Sequence, residues 1–202
     1  SNLPDQEFNW CHTVYGNVEE LIPKDVPKPL GKSVTTVTYT DANLYHDMLT
    51  GRSVTGILHF CNQTLIDWYS KRQATVETAT FGSEFTAARI LVDQIIDFRN
   101  TLRYLGVPIN NKSVMFGDNQ AVVTNSSIPH SSLNKRHNAL SYHRVREMIA
   151  AKILGYYWID GKKNPSDIVC KHWSYPQVWH LLNPILFYSG NTGNLINDAE
   201  EE

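Results

Sequence analysis

One long stripe constrains this chain more than any other feature. Glu84, Ala88, Leu91, Ile95, Phe98, Leu102 and Leu105 recur at alternating steps of four and three, the spacing that aligns side chains along one face of an α-helix. Gly106 and Pro108 follow at once. Glycine accepts the left-handed backbone of a helix end, and proline has no N–H to continue the ladder, so the helix stops there. An apolar stripe of this length must be covered, so the chain needs a sheet or further helices to lay it against. The stripe begins on an acid. Glu84 is expected to face inward, where a lone carboxylate is costly unless something positive or protic meets it.

The segments around this helix read as strands and shorter helices. Residues 34–40 (VTTVTYT) are rich in β-branched side chains and predict a strand ending at Asp41. Residues 56–61 (GILHFC) and 64–69 (TLIDWY) are two more apolar runs, parted by Asn62 and Gln63, a gap of hairpin length. The first three strands are therefore expected to pair antiparallel. After the long helix come a short buried strand at 114–116, a helical turn at 120–125 and a helix at 138–152 with Tyr142, Val145 and Ile149 as its face. A further strand is expected at 156–159. Asn164-Pro165-Ser166-Asp167 reads as a helix start, with Asn164 as cap and Pro165 at the first position. A last helix is expected at 179–187, interrupted by Pro184. This order predicts an α/β fold, a five-stranded mixed sheet flanked by helices. The domain proper is placed at residues 34–188. Residues 1–33, with Pro4, Pro23, Pro27 and Pro29, read as a connecting arm whose Trp10, Tyr15 and Leu21 pack on something. Residues 189–202 read as a loose acidic tail.

Composition narrows the function classes. A 202-residue chain with 42% hydrophobic and 19% charged residues can bury an ordinary core. Its formal net charge is −2, against the basic balance usual for free-standing nucleic-acid binders. Any hold on nucleic acid must be local or shared with a neighbouring domain. Cys11, Cys61 and Cys170 are odd in number and widely spaced, which fits neither a disulfide framework nor a zinc site. They are expected to be reduced thiols of an intracellular protein. No apolar run reaches bilayer length and no leader segment is evident, so no membrane partner is expected.

Four acids stand where chemistry could use them. Asp41 follows the first strand, Glu84 heads the long helix, Asp118 follows the fourth strand and Asp167 opens a helix after the fifth. Taken singly, Asp41 could start a turn, Asp118 could cap a helix and Asp167 could serve a helix dipole. Taken together they suggest more. The ends of neighbouring strands in an open α/β sheet are where ligands bind, and clustered carboxylates raise one another's pKa unless a cation relieves them. Hard oxygen donors suit Mg²⁺ or Mn²⁺. Two such ions about 3.5–4 Å apart form the clamp used in phosphodiester hydrolysis.

The motifs around these acids resemble a known family. Tyr39-Thr40-Asp41-Ala42-Asn43 resembles the Y-[ST]-D-A-[DN] opening of the RNase H domains of Ty1/copia-type retrotransposon Pol polyproteins. Residues 50–56 (TGRSVTG) are similar to their R-S-T-S-G segment, and residues 68–73 (WYSKRQ) to W-x-S-K-[KR]-Q. In residues 78–85 (TATFGSEF) the second acid of S-[ST]-x-E-[AS]-E-[YF] falls on Glu84. Residues 116–120 (FGDNQ) resemble [YF]-C-D-N-Q. Arg136-His137 and residues 142–147 (YHRVRE) resemble K-H-I and Y-H-[FRW]-[IV]-R-E, and residues 166–171 (SDIVCK) resemble A-D-[IL]-L-T-K. The blocks run in order from about residue 34 to 172.

The resemblance implies an RNase H-like fold and hydrolysis of the RNA strand of RNA/DNA hybrids during reverse transcription, leaving 3′-hydroxyl and 5′-phosphate ends. It implies that Asp41, Glu84, Asp118 and Asp167 are catalytic and hold two Mg²⁺ ions, for which Mn²⁺ would substitute. Asn119, Gln120, Ser83, Lys71, Arg72 and Gln73 become candidates for substrate contact. Glu84 and Asn119 are those for the 2′-hydroxyl that marks RNA, and Lys71, Arg72 and Gln73 those for phosphates and sugars. The implied partners are the hybrid and the polymerase domain of the same polyprotein, in a cytoplasmic particle or the nucleus. The chain departs from the family pattern at Tyr45 and His46, which stand where small residues are usual. It also has no histidine between Tyr156 and Asp167, where cellular RNases H carry one; Lys162 and Lys163 occupy that loop. His137 and His143 are expected to be surface or packing residues. Two rivals share the fold: a catalytically weak module that supports the polymerase or dimerisation, and an integrase-type core. The second would place its glutamate late in the chain, where this sequence has Asp167.

Overall fold

A computed structural model of the chain describes residues 14–109, 112–128, 133 and 138–186. Trp10, Cys11, Arg136, His137 and the acidic tail lie outside the described residues. Five strands form one sheet in the order β3-β2-β1-β4-β5, with β1 at Thr36–Asp47, β2 at Arg52–Cys61, β3 at Thr64–Arg72, β4 at Ser113–Gly117 and β5 at Leu154–Trp158. β1, β2 and β3 pair antiparallel, as their hairpin spacing predicts. β4 and β5 join in parallel on the other side of β1. The sheet is mixed because the long helix α1 (Thr80–Tyr104) carries the chain back over the sheet before β4 begins.

The stripe of α1 packs as its spacing predicts. Ala88, Leu91, Ile95 and Leu102 are buried, and the first three meet Ile57 and Met115 of the sheet in the main core. Leu105 is the exception: it follows the last helical residue and is 71% exposed. Helices α2 (Gln120–Ser127) and α3 (Ala139–Ala150) share this layer, and α3 contributes Tyr142, Val145 and Ile149 to the same core. A short helix α4 (Asp167–Cys170) and a longer α5 (Tyr175–Leu186) complete the fold. Between α5 and the sheet lies a cavity of about 600 Å³, lined by Tyr39, Phe116, Leu181 and Ile185 among others. Tyr39 stacks on Phe116 there.

Several boundaries differ from the sequence reading. β1 does not end at Asp41 but runs to Asp47, because its antiparallel ladder with β2 continues beyond that residue. The register slips between Asn43 and Asp47, and Tyr45 takes a positive φ of 54°. That is the left-handed conformation in which small or flexible residues are usual. Ser166 rather than Asn164 occupies the cap of α4. Helix α5 begins at Tyr175 and passes through Pro184 instead of breaking there. The β2–β3 ladder also slips, between His59 and Phe60.

The arm before β1 lies on the helix layer. The Tyr15 hydroxyl bonds His143 Nδ1 at 2.9 Å. Glu20 is held by Arg99 at 2.7 Å and by Arg103 at 2.7 Å. Further on, the Leu30 and Val34 N–H groups donate to the Gly106 and Pro108 carbonyls. The arm is thus pinned by polar contacts, and Leu21, expected to pack, is 90% exposed.

Candidate metal centre

The parallel ladder between β1 and β4 ends at Thr40 and Gly117. The next residue on each strand is an aspartate, Asp41 and Asp118, so two carboxylates emerge side by side where the strands separate. Glu84 reaches the same point from the first turns of α1 and is 3% exposed. Oxygens of Asp41, Glu84 and Asp118 lie within 4.8 Å of one another. Asp167 arrives on α4, and with Asp41 and the Cys170 sulfur it forms a second group of the same size. Asp41 is common to both.

Three contacts seat α4. The Asn164 side chain donates from Nδ2 to the Thr40 carbonyl at 2.9 Å, while its Oδ1 accepts from the Ser166 N–H and hydroxyl. Gly56, register partner of Asp41 on β2, leaves room for the helix: a Cβ there would stand 2.7 Å from the Ser166 carbonyl oxygen and 2.8 Å from Cys170 Cβ. Ser70 of β3 donates to the Val169 carbonyl. On the Asp118 side, Trp158 Nε1 donates to the Asp118 carbonyl at 2.8 Å.

The electrostatics show what the cluster lacks. Burial, then the charges of Asp41 and Asp118, push the Glu84 carboxyl well above its usual range. Burial raises Asp118 as well. Asp167 is pushed up to about 6 by burial and Asp41, against the pull of Lys171. Burial would lower the Lys171 ammonium, but Asp41 and Asp167 outweigh it and hold the proton on. Its Nζ lies 2.6 Å from Asp167 and 3.2 Å from Asp41. The Cys170 thiol is raised by burial and by Asp41, and it donates its proton to Asp41 Oδ2. With Glu84, Asp118 and Asp167 all resisting ionisation, the cluster is short of positive charge. The donor set of Asp41, Glu84 and Asp118 is all hard oxygen, which fits Mg²⁺ or Mn²⁺.

No family model matches the chain. In sequence it is similar to the retrovirus-related Pol polyprotein from transposon TNT 1-94 of Nicotiana tabacum, 29% identical over 133 residues, which is 66% of this chain. The chain spans about a tenth of that relative's length. Among solved structures, the N-terminal RNase H domain of a Mycobacterium tuberculosis protein matches with a TM-score of 0.53 at 12% identity, covering 75% of this chain and 98% of that one. RNase H1 of Halobacterium salinarum matches at 0.52 and 13%, covering 67% of this chain and 93% of its own. A compost-derived RNase H1 in complex with RNA/DNA hybrid matches at 0.51 and 13%, covering 64% and 88%. The chain has the ribonuclease H fold. The likeness to a retrotransposon Pol polyprotein, expected from the motifs, is carried by the tobacco relative as well.

Within this ribonuclease H fold the remaining candidates fall into two groups. Gln120 is exposed, as are Lys71 and Arg72 at the end of β3. Arg72 pairs with Asp47 at 2.6 Å. Asn119 is half-buried and uses its side-chain oxygen to cap α2 through the Val122 N–H. Gln73 and Ser83 are buried. Gln73 donates to Thr55 and to the Ser83 carbonyl, and the Ser83 hydroxyl donates to the Thr80 carbonyl. The expectation of substrate contact for these two gives way to a packing role, joining the end of β3 to the start of α1. His143, expected on a surface, is there and bonded to the arm. Sequence reasoning gave no site role to Lys171 or Gly56, and it made Asn164 a helix cap rather than the clamp on Thr40. Lys171 had a signal, since it stands four residues after Asp167 on one helical face. Gly56 had none beyond its place in a motif, and Asn164 none beyond its place before Pro165.

Proposed function

We propose that this chain is a divalent-metal-dependent ribonuclease H that cleaves the RNA strand of RNA/DNA hybrids in retrotransposon reverse transcription. The observation that carries this reading is the meeting of Asp41, Glu84, Asp118 and Asp167, from four separate elements, around one shared aspartate. Asp41, Glu84 and Asp118 would hold one ion and Asp41 with Asp167 the other. When bound, such ions supply charge stabilisation at the scissile phosphate and an acidified water at neutral pH.

The chain's own residues do the rest. Burial of Glu84 and Asp41 fixes their oxygens before substrate arrives, so little reorganisation is needed at the reacting phosphate. The Asn164 clamp on the Thr40 carbonyl holds Asp167 in register with Asp41. Lys71 and Arg72 are exposed at the end of β3, where phosphate contacts would position a duplex without reading its sequence. With a net charge of −2, such local contacts need help, and the polymerase domain of the same polyprotein is the natural source. No helix among the described residues is long and apolar enough to cross a membrane, in keeping with action inside an intracellular particle.

The test is cleavage of a labelled RNA/DNA hybrid by the purified chain in Mg²⁺ or Mn²⁺, beside single-stranded RNA, duplex RNA and duplex DNA. The expected result is cutting of the hybrid's RNA strand alone, lost in Asp41→Asn. A folded chain that cuts nothing with either ion would favour the supporting-module reading.

A further inference from the structure

We infer that Lys171 is a built-in counter-ion on the Asp41–Asp167 half of the cluster, so that the two halves of the site take up divalent cations unequally. This rests on the metal-dependent reading above. Lys171 Nζ lies 2.6 Å from one Asp167 oxygen and 3.2 Å from one Asp41 oxygen, and those two side chains are only 10% and 3% exposed. The ammonium therefore stands between the two carboxylates that a bridging ion would need. A divalent ion within coordination distance of both, about 2.1 Å for Mg²⁺, would stand a few ångströms from a positive charge in a poorly solvated pocket. Repulsion there is strong. Lys171 must leave before such an ion can settle, and it is able to: its side chain is 33% exposed and rides on a flexible four-carbon stem. The other half differs. Among the described residues Glu84 and Asp118 form no ion pair, and the Lys171 charge reaches them only at longer range than it reaches Asp167. The first cation is taken by Asp41, Glu84 and Asp118. The second is taken only as Lys171 gives way. The concentration at which the second cation binds is thereby set by a side chain of the protein itself.

Mn²⁺ binding to the whole chain, followed by electron paramagnetic resonance without nucleic acid at pH 8, tests this. Wild type is expected to show one tighter and one weaker Mn²⁺. Lys171→Met should tighten the weaker one by about tenfold or more, within the usual range of coupling between sites, and change the tighter one by much less. Lys171→Arg, which keeps the charge, should behave as wild type, and Asp118→Asn should remove the tighter ion. Cooperative melting of each variant without metal establishes that it folds, with Lys171→Gln as a substitute should Lys171→Met fail to. Affinities of a folded Lys171→Met within twofold of wild type overturn the inference and leave the metal reading intact. Absence of Mn²⁺ from every folded variant overturns both.

Discussion

Gly56→Ala is the most revealing single change at the site, because it adds one carbon and touches no charge. The new Cβ would stand 2.7 Å from the Ser166 carbonyl oxygen, 2.8 Å from Cys170 Cβ and 3.0 Å from Val169 Cγ2. Ordinary contact begins near 3.4 Å, so backbone and side chain of α4 must retreat by about 0.7 Å. Two of those neighbours cannot swing aside: one is a backbone oxygen, the other the first carbon of a buried side chain. The retreat therefore moves α4 as a body, with Asp167 at its first residue. Overpacking of this kind costs about 1–3 kcal/mol of stability. A misplacement approaching 1 Å at reacting groups costs about a hundredfold in rate. Hybrid cleavage and thermal melting measured on the same preparation should show a variant that still folds cooperatively but cuts about 10- to 100-fold more slowly. Gly56→Ala with wild-type rate and melting temperature would refute the argument, since it would mean α4 is not seated against β2 as described.

Other substitutions probe separate parts of the molecule. Asp41→Asn, Glu84→Gln and Asp118→Asn should each lower hybrid cleavage by at least about a hundredfold, roughly 2.7 kcal/mol of barrier, with circular dichroism unchanged; Asp167→Asn should be milder. Mg²⁺ or Mn²⁺ should raise the melting temperature of wild type, by about 2.7 kcal/mol of stability at a hundred times the dissociation constant, and should do so much less in Asp41→Asn. Glu20 gives a pH signature. Burial would raise its carboxyl, but Arg99 and Arg103 outweigh that and hold it at about 2. A carboxyl depressed in the folded state adds stability above its ordinary pKa near 4.5 and loses it as pH falls towards 2. Denaturant melts should show wild type more stable than Glu20→Gln at pH 7, with the gap closing between about pH 4.5 and 2; a gap constant over that range would count against the clamp.

What could be read from the sequence was whatever leaves a period or a run. The stripe from Glu84 predicts both the long helix and the inward direction of its acid, because helical spacing and burial are tied. The strands read at 34–40 and 114–116 are legible as β-branched or apolar runs, and their placement side by side brings Asp41 and Asp118 together, whereas the continuation of the first strand to Asp47 leaves no such run. Single contacts leave no such trace. The grip of Arg99 and Arg103 on Glu20 joins residues about eighty positions apart, and nothing near Glu20 signals it, so the arm reads as a connector. Gln73 and Ser83 show the reverse error. They sit inside a family-like motif beside the acids, and a motif does not say whether a polar side chain points at a ligand or at its own backbone. Asn164 was read as a helix cap for its position before a proline, and its bond to Thr40 depends on a loop whose path no pattern fixes.

The sheet's outer strand carries one more consequence. β3 ends the sheet on one side, is mostly exposed along its length and presents Ile66 and Trp68 at 52% and 65% exposure. A straight, uncharged edge of that kind is a template on which another polypeptide can stack and aggregate. Here the strand slips register against its neighbour after His59, and Asp67, Lys71 and Arg72 stand along it, which spoils the fit of an incoming chain. Neutralising those three charges together should cost the protein solubility before it costs stability.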